Sequence, residues 1–195
     1  MPKETFNNLC EEKKRKIFDA AVKEFSTRRF SEASINQIVK AAEIPRGSFY
    51  QYFDDKEDIY LYMFEQMSVE KREIVKHSEI IDMEADFFEI CIQSVKATYE
   101  WAQHNPAYLK ISAFMEIDDS EFIAKLRASF SERFVKYIER DKERGLIKPE
   151  IDSYLAADMV YTFIWKQSSL LVSDQETFFK KYSEGIKIFK EGIGK

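Results

Sequence analysis

Between residues 46 and 52 the sequence RGSFYQY sets a guanidinium, a carboxamide and three hydroxyls within about two helical turns. Each of these groups suits the edge of a base or a phosphate oxygen. Arg46 is long enough to reach a guanine edge or a phosphate, and Gln51 has the carboxamide that pairs bidentately with adenine. Ser48, Tyr50 and Tyr52 offer hydroxyls to phosphates, and Gly47 lets a backbone approach a nucleic acid closely. Lys56 follows at the start of another helix, where anions are favoured, and Ser34 stands at the start of an earlier one. Three of these residues have an equally plain structural reading. Tyr52 suits packing against the first helix, Ser34 suits a helix cap, and Lys56 suits a solvated ion pair with nearby acids.

Such groups need a short helix held from behind. Residues 11–26, EEKKRKIFDAAVKEFS, place Ile17, Ala21 and Phe25 at i, i+4 and i+8, which gives a first helix one apolar face. Ser34 and Gln37 have capping-box spacing, so a second helix starts at Ser34 and ends near Ala42, ahead of Pro45. Pro45 suits the first turn of a third helix, on which Phe49 and Phe53 lie a turn apart and face the core. Asp54 and Glu57 repeat the capping-box spacing and open a long fourth helix from about Lys56. This order is a helix-turn-helix, in which the second short helix enters a DNA major groove.

The stretch 17–61 resembles the N-terminal domain of the TetR family of transcriptional regulators. The resemblance is carried by Ile17, Ala20 or Ala21, Phe25, Ser34, Ile38, Ala41 and Ala42, then by Arg46-Gly47-Ser48-Phe49-Tyr50, Tyr52-Phe53, Lys56-Glu57 and Ile59. The segment GLIKPEIDSYLAADMV, residues 145–160, is similar to one in the C-terminal domains of that family. Three positions depart from the pattern: Arg29 and Glu43 stand where glycine is usual, and Pro45 replaces a Ser or Thr cap. Glu43 is therefore expected to take a turn conformation that glycine adopts more easily. The resemblance implies an all-α protein, with a helix-turn-helix domain over 1–55 joined to a helical effector-binding and dimerisation domain over 56–195. It implies a repressor that binds a palindromic operator and is released by a small-molecule effector.

The remaining chain reads as longer helices, with Asn105, Asp152 and Asp174 as caps and Gly145 as a stop. Two half-sites about 34 Å apart call for a homodimer, and the last two helices carry apolar residues on more than one face. Tyr161, Ile164, Ser168, Phe178, Tyr182 and Ile186 are the expected interface. For the effector, family membership implies an apolar pocket, with Trp101, Phe114, Tyr137 and Trp165 as candidate walls and core packing as the other reading of each. Scarce basic residues in these stretches favour a small, hydrophobic or weakly polar ligand over a phosphorylated one.

Composition narrows the field. Hydrophobic residues make up 45% of the 195, enough for a real core, and only 5 Gly and 4 Pro interrupt the helical pattern. Residues 1–53 hold 10 Lys and Arg against 7 Asp and Glu, a balance of +3, while 54–195 hold 20 against 28, a balance of −8. A mildly basic head on an acidic body argues against indiscriminate coating of nucleic acid. Cys10 and Cys91 are far apart and the two histidines, His77 and His104, are isolated, so neither a disulfide framework nor a metal or other cofactor is expected. No signal-like or membrane-spanning run is seen, which reads as cytoplasmic. No GxSxG elbow, HExxH or glycine-rich phosphate loop suggests an enzyme. A helical interaction module without DNA binding is the remaining alternative.

Overall fold

The computed structural model describes residues 2–78, 82–168 and 175–194, and the side chains of all of these except 74–78, 167, 168 and 175. The protein is all-α. The helices are α1 (Glu4–Asn7), α2 (Glu11–Phe25), α3 (Ile35–Ala41), α4 (Arg46–Tyr52), α5 (Lys56–Ser78), α6 (Phe87–His104), α7 (Pro106–Ile117), α8 (Glu121–Glu143), α9 (Ser153–Ser168) and α10 (Gln175–Ile193). A 3-10 turn covers Phe30–Glu32, and among the described residues the extended pairing is one isolated bridge, Ile147 to Gly194. Two compact units result: Met1–Ile74 with Asn105–Phe122, and Val75–His104 with Ile123–Lys195. Set against a sequence boundary at 55/56, packing carries the first unit on through most of α5 and brings in α7.

In the first unit α2 buries Ile17, Phe18, Ala21 and Phe25, the stripe that its apolar spacing requires. Ile38 of α3, Phe49 of α4, Phe53 just after it, and Ile59 and Met63 of α5 are buried as well. Each fully buried ring or branched side chain contributes on the order of 1.5–3 kcal/mol of transfer free energy. α7 packs against α2 and buries Ile111 and Met115. One polar cluster accompanies that packing: the Glu70 carboxylate accepts from Arg15 Nη1 at 3.0 Å and from the Tyr108 hydroxyl at 2.9 Å. Burial, and then the Glu70 carboxylate, push the Tyr108 hydroxyl pKa upward.

The second unit has its own core of Phe87, Phe88, Cys91, Ile138, Ile147, Ala157, Val160, Phe178, Tyr182 and Ile186. α10 packs against α6 and α9. Gly185 lets α9 and α10 meet: a Cβ there would lie 2.1 Å from the Phe163 ring. Gly145, at φ 73, closes α8, with its N–H on Lys142 O and the Leu146 N–H on Asp141 O. Asp152 caps α9 by accepting from Tyr154 N at 2.9 Å and Leu155 N at 3.0 Å. Asn105 stands at the cap position of α7 with Pro106 as its first residue, while Asp174 lies outside the described residues. The fully buried Asp141 accepts from the Phe87 N–H at 2.6 Å and pairs with Arg140 and Arg144, which ties the start of α6 to the end of α8.

Candidate nucleic-acid interface

The interface is built from the turn upward. Ser34 caps α3, its hydroxyl accepting from Asn36 N at 3.2 Å. The Ser34 N–H donates to Glu24 Oε1 of α2 at 2.9 Å, so Glu24 takes the place that capping-box spacing assigns to Gln37. At the other end of α3 the Glu43 N–H reaches Lys40 O at 3.3 Å and the Ile44 N–H reaches Val39 O at 3.0 Å. That bond pair is a Schellman stop, with Glu43 at φ 55 in the position that favours glycine. Ile44 and Val39 are both buried, as the apolar contact of such a stop requires. The expected turn conformation of Glu43 is thus observed. Pro45 stands one residue earlier than expected, as the N-cap of α4 with ψ 143, rather than inside its first turn.

Phe49 and Phe53 are fully buried and fix which way α4 faces. Arg46, Gly47, Tyr50 and Gln51 are exposed, Ser48 is half-buried, and the Gly47 surface is open. Arg46 is already oriented: one nitrogen donates to Asn36 Oδ1 at 2.8 Å and another to the Tyr50 hydroxyl at 3.3 Å. A guanidinium, a carboxamide and a phenol therefore form one row across α3 and α4. Asn36 carries no sequence signal for this place, because its role depends on a residue ten positions away.

Two of the expected contacts turn inward. Tyr52 is 6% exposed, its ring edge-on to Phe6 at 6.0 Å with Lys13 Nζ 5.6 Å from its centre, so packing is the reading that the geometry favours. Lys56 donates to the carbonyls of Phe30 at 2.6 Å, Ala33 at 3.0 Å and Ser31 at 3.5 Å, and lies over the Phe30 ring. Those three bonds use every proton of its ammonium. Burial lowers the Lys56 pKa, against the attraction of Asp118 and Glu24. The same 3-10 turn is gripped from the end of α7 and the start of α8: Asp118, fully buried, accepts from Ser31 N at 2.8 Å, and Phe122 lies 4.6 Å from Phe30. Burial raises the Asp118 pKa, but bonds from Ser120 and Ser31 outweigh it and bring the carboxyl down to about 2.

The other expected sites divide differently. Trp101, Tyr137 and Trp165 belong to the second unit, whereas Phe114 lies on α7 in the first. Trp165 packs on Tyr161 at 5.7 Å and Tyr161 on Phe134 at 6.0 Å, so Tyr161 joins a row of rings and burial raises its hydroxyl pKa. Trp101 is buried on α6, and Tyr137 lies beneath the Arg140 guanidinium at 5.5 Å. Of the expected dimer residues, Phe178, Tyr182 and Ile186 are each 1% exposed and fill the core of their own unit, because helical spacing alone fits a core and an interface equally. Ile164 is half-buried against that core, and the Ser168 side chain lies outside the described residues. The apolar side chains left exposed on these helices are Tyr154, Leu155 and Met159 of α9 and Ile188 of α10. Among the described residues no group of three or more His, Cys, Asp or Glu side chains has the arrangement of a metal site, and no helix is long and apolar enough to cross a membrane.

Comparison with known proteins agrees with this geometry. Residues 17–63 match the model for bacterial regulatory proteins of the tetR family. An uncharacterised HTH-type transcriptional regulator of Bacillus subtilis strain 168, YwcC, is 25% identical over 89% of this chain and 82% of its own. A TetR family transcriptional regulator of Chloroflexus aurantiacus J-10-fl superposes over 100% of this chain and 99% of its own, with TM-score 0.65 and 27% identity. Bacillus subtilis FadR, solved in complex with stearoyl-CoA, shares the fold at TM-score 0.67 and 19% identity over 92% of this chain and 99% of its own. Residues 17–63 thus carry a helix-turn-helix that matches the tetR family, with its polar row turned outward, on a chain that is similar to such transcriptional regulators along nearly its whole length.

Proposed function

We propose that the protein is a ligand-responsive repressor that binds a palindromic duplex as a homodimer, with one α4 helix in each of two successive major grooves. The observation that carries this reading is the division of the α4 surface, Phe49 and Phe53 buried against Arg46, Gly47, Tyr50 and Gln51 exposed. Arg46 and Gln51 read base edges, while Ser48, Tyr50 and the start of α3 at Ser34 meet phosphates. Lys56 and Tyr52 act from behind, by holding the 30–33 turn and the α1 packing. The second copy seats on the exposed apolar side chains of α9 and α10. An effector with a large apolar part occupies the second unit beside the Tyr161 and Trp165 rings, a reading supported by the stearoyl-CoA held by the structurally similar FadR. Its effect reaches the DNA-binding unit along the chain, because α7 is joined directly to α6 on one side and α8 on the other. It acts only through unequal affinity for the two states.

Selection from a randomised duplex pool tests the reading. A palindromic consensus is expected, with salt-dependent affinity that falls by roughly 2–6 kcal/mol in the Arg46→Ala, Gln51→Ala double variant while helicity persists. Recovery of no duplex at any salt concentration would favour a helical interaction module instead. Adding stearoyl-CoA to the bound duplex then tests that ligand class, and unchanged affinity excludes it.

A further inference from the structure

We infer that residues 3–6 are a strap that positions the recognition helix, and through it Gln51, for base readout. The inference rests on the assignment of Gln51 as a base-contacting residue. α4 has only 7 residues, and the carbonyls of its last turn have no partners within the helix. Three consecutive ones are taken up by the N-terminal segment. Lys3 Nζ donates to Tyr50 O at 2.9 Å, Thr5 Oγ1 donates to Gln51 O, and the Lys3 N–H donates to Tyr52 O at 2.8 Å. Lys3 Nζ also pairs with Asp54 at 2.6 Å, just past the helix.

Phe6 anchors the segment. It is 1% exposed, with ring centres of Tyr62 at 4.9 Å, Phe53 at 5.0 Å and Tyr52 at 6.0 Å. The two ends of α4 are therefore held by different parts of the chain. Arg46 is set by Asn36 of α3 at the start, and Gln51 sits in the turn held by Lys3 and Thr5 at the end. A helix this short gains little from its own hydrogen bonds, so the conformation of its last turn depends on the groups that cap it.

The consequence is positional. Loosening the strap frees Gln51 and leaves Arg46 in place, so base preference is lost at one part of each half-site rather than throughout. The test compares four forms of the full chain on the same randomised duplex pool: the unaltered protein, Gln51→Ala, Thr5→Ser, and the Lys3→Met, Thr5→Val double variant. Amide hydrogen exchange over residues 50–53 is followed in parallel. The double variant is expected to bind the preferred duplex about three- to tenfold more weakly, the range of a lost helix cap. Its relaxed base pairs are the ones that Gln51→Ala relaxes, and its amides at 50–53 exchange faster. Thr5→Ser, which keeps the hydroxyl, behaves as the unaltered protein. An unchanged exchange rate in the double variant overturns the strap, as does an even loss of preference at all base pairs. If Gln51→Ala relaxes no base pair, the assignment of Gln51 falls, and the exchange rates alone decide the strap.

Discussion

Glu43 holds a backbone conformation that disfavours its own side chain. At φ 55 it is the one described non-glycine residue with positive φ, at the position of the stop after α3 that favours glycine. An L-residue there costs roughly 1–2 kcal/mol, which glycine avoids at the expense of a more flexible unfolded chain. The Glu43 carboxylate meets Lys16 at 3.5 Å, but both side chains are mostly exposed and such a pair contributes little. Glu43→Gly is therefore expected to raise the free energy of unfolding by up to about 1 kcal/mol, read as a higher denaturant midpoint at unchanged slope. A lower midpoint would show that the Lys16 pair outweighs backbone strain. This residue was legible through the family resemblance, which puts a glycine at its position, and the expectation held because the turn is set locally, between Ala42 and Pro45.

Between elements, local rules placed the caps at Ser34 and Asp152 where they are found and missed the start of α5 by one residue. The start of α5 uses Asp55, which accepts from Asp58 N at 2.9 Å, while Asp58 accepts from Asp54 N at 3.1 Å. The box is thus one position on from the Asp54 and Glu57 spacing, in a run of acids where either register satisfies the pattern. The grip of Asp118 on the 3-10 turn had no sequence signature at all, since Ser31 and Asp118 are 87 residues apart. Its chemistry gives a sign for the pH dependence. A carboxyl depressed to about 2 adds stability that is fully present above the ordinary carboxylate range and is lost as pH falls toward the folded value. Thermal stability of the first unit is expected to fall between about pH 4 and pH 2, and Asp118→Asn should flatten that part of the profile while lowering stability at neutral pH. An equally steep profile in the variant would assign the acid sensitivity to other carboxyls.

At the scale of the whole molecule, the proposed homodimer turns on which apolar residues serve the chain and which would serve a second copy. Leu155 and Met159, at 59% and 51% exposed, lie a turn apart on α9, and Ile188 is 69% exposed on α10. Replacing Leu155 and Met159 together by Glu is expected to yield folded monomers in sedimentation, with operator affinity lost through the missing half-site. Phe178→Ala instead removes a fully buried ring, and should lower stability by about 3–5 kcal/mol with no specific effect on association of the remaining folded protein. If the two variants exchange these outcomes, the dimer face lies on the other side of α10. The sequence by itself determined the all-α class, the helix-turn-helix and the inward and outward sides of α4, because these follow from helical spacing and from turn chemistry within a few residues. Only the tertiary structure decided that Lys56 and Tyr52 turn inward, that Lys3 and Thr5 cap α4, that α7 joins the DNA-binding unit, and which side of α10 is core. Those choices depend on segments far apart in the chain competing for the same apolar surface and the same backbone carbonyls, and no local pattern records which of them wins.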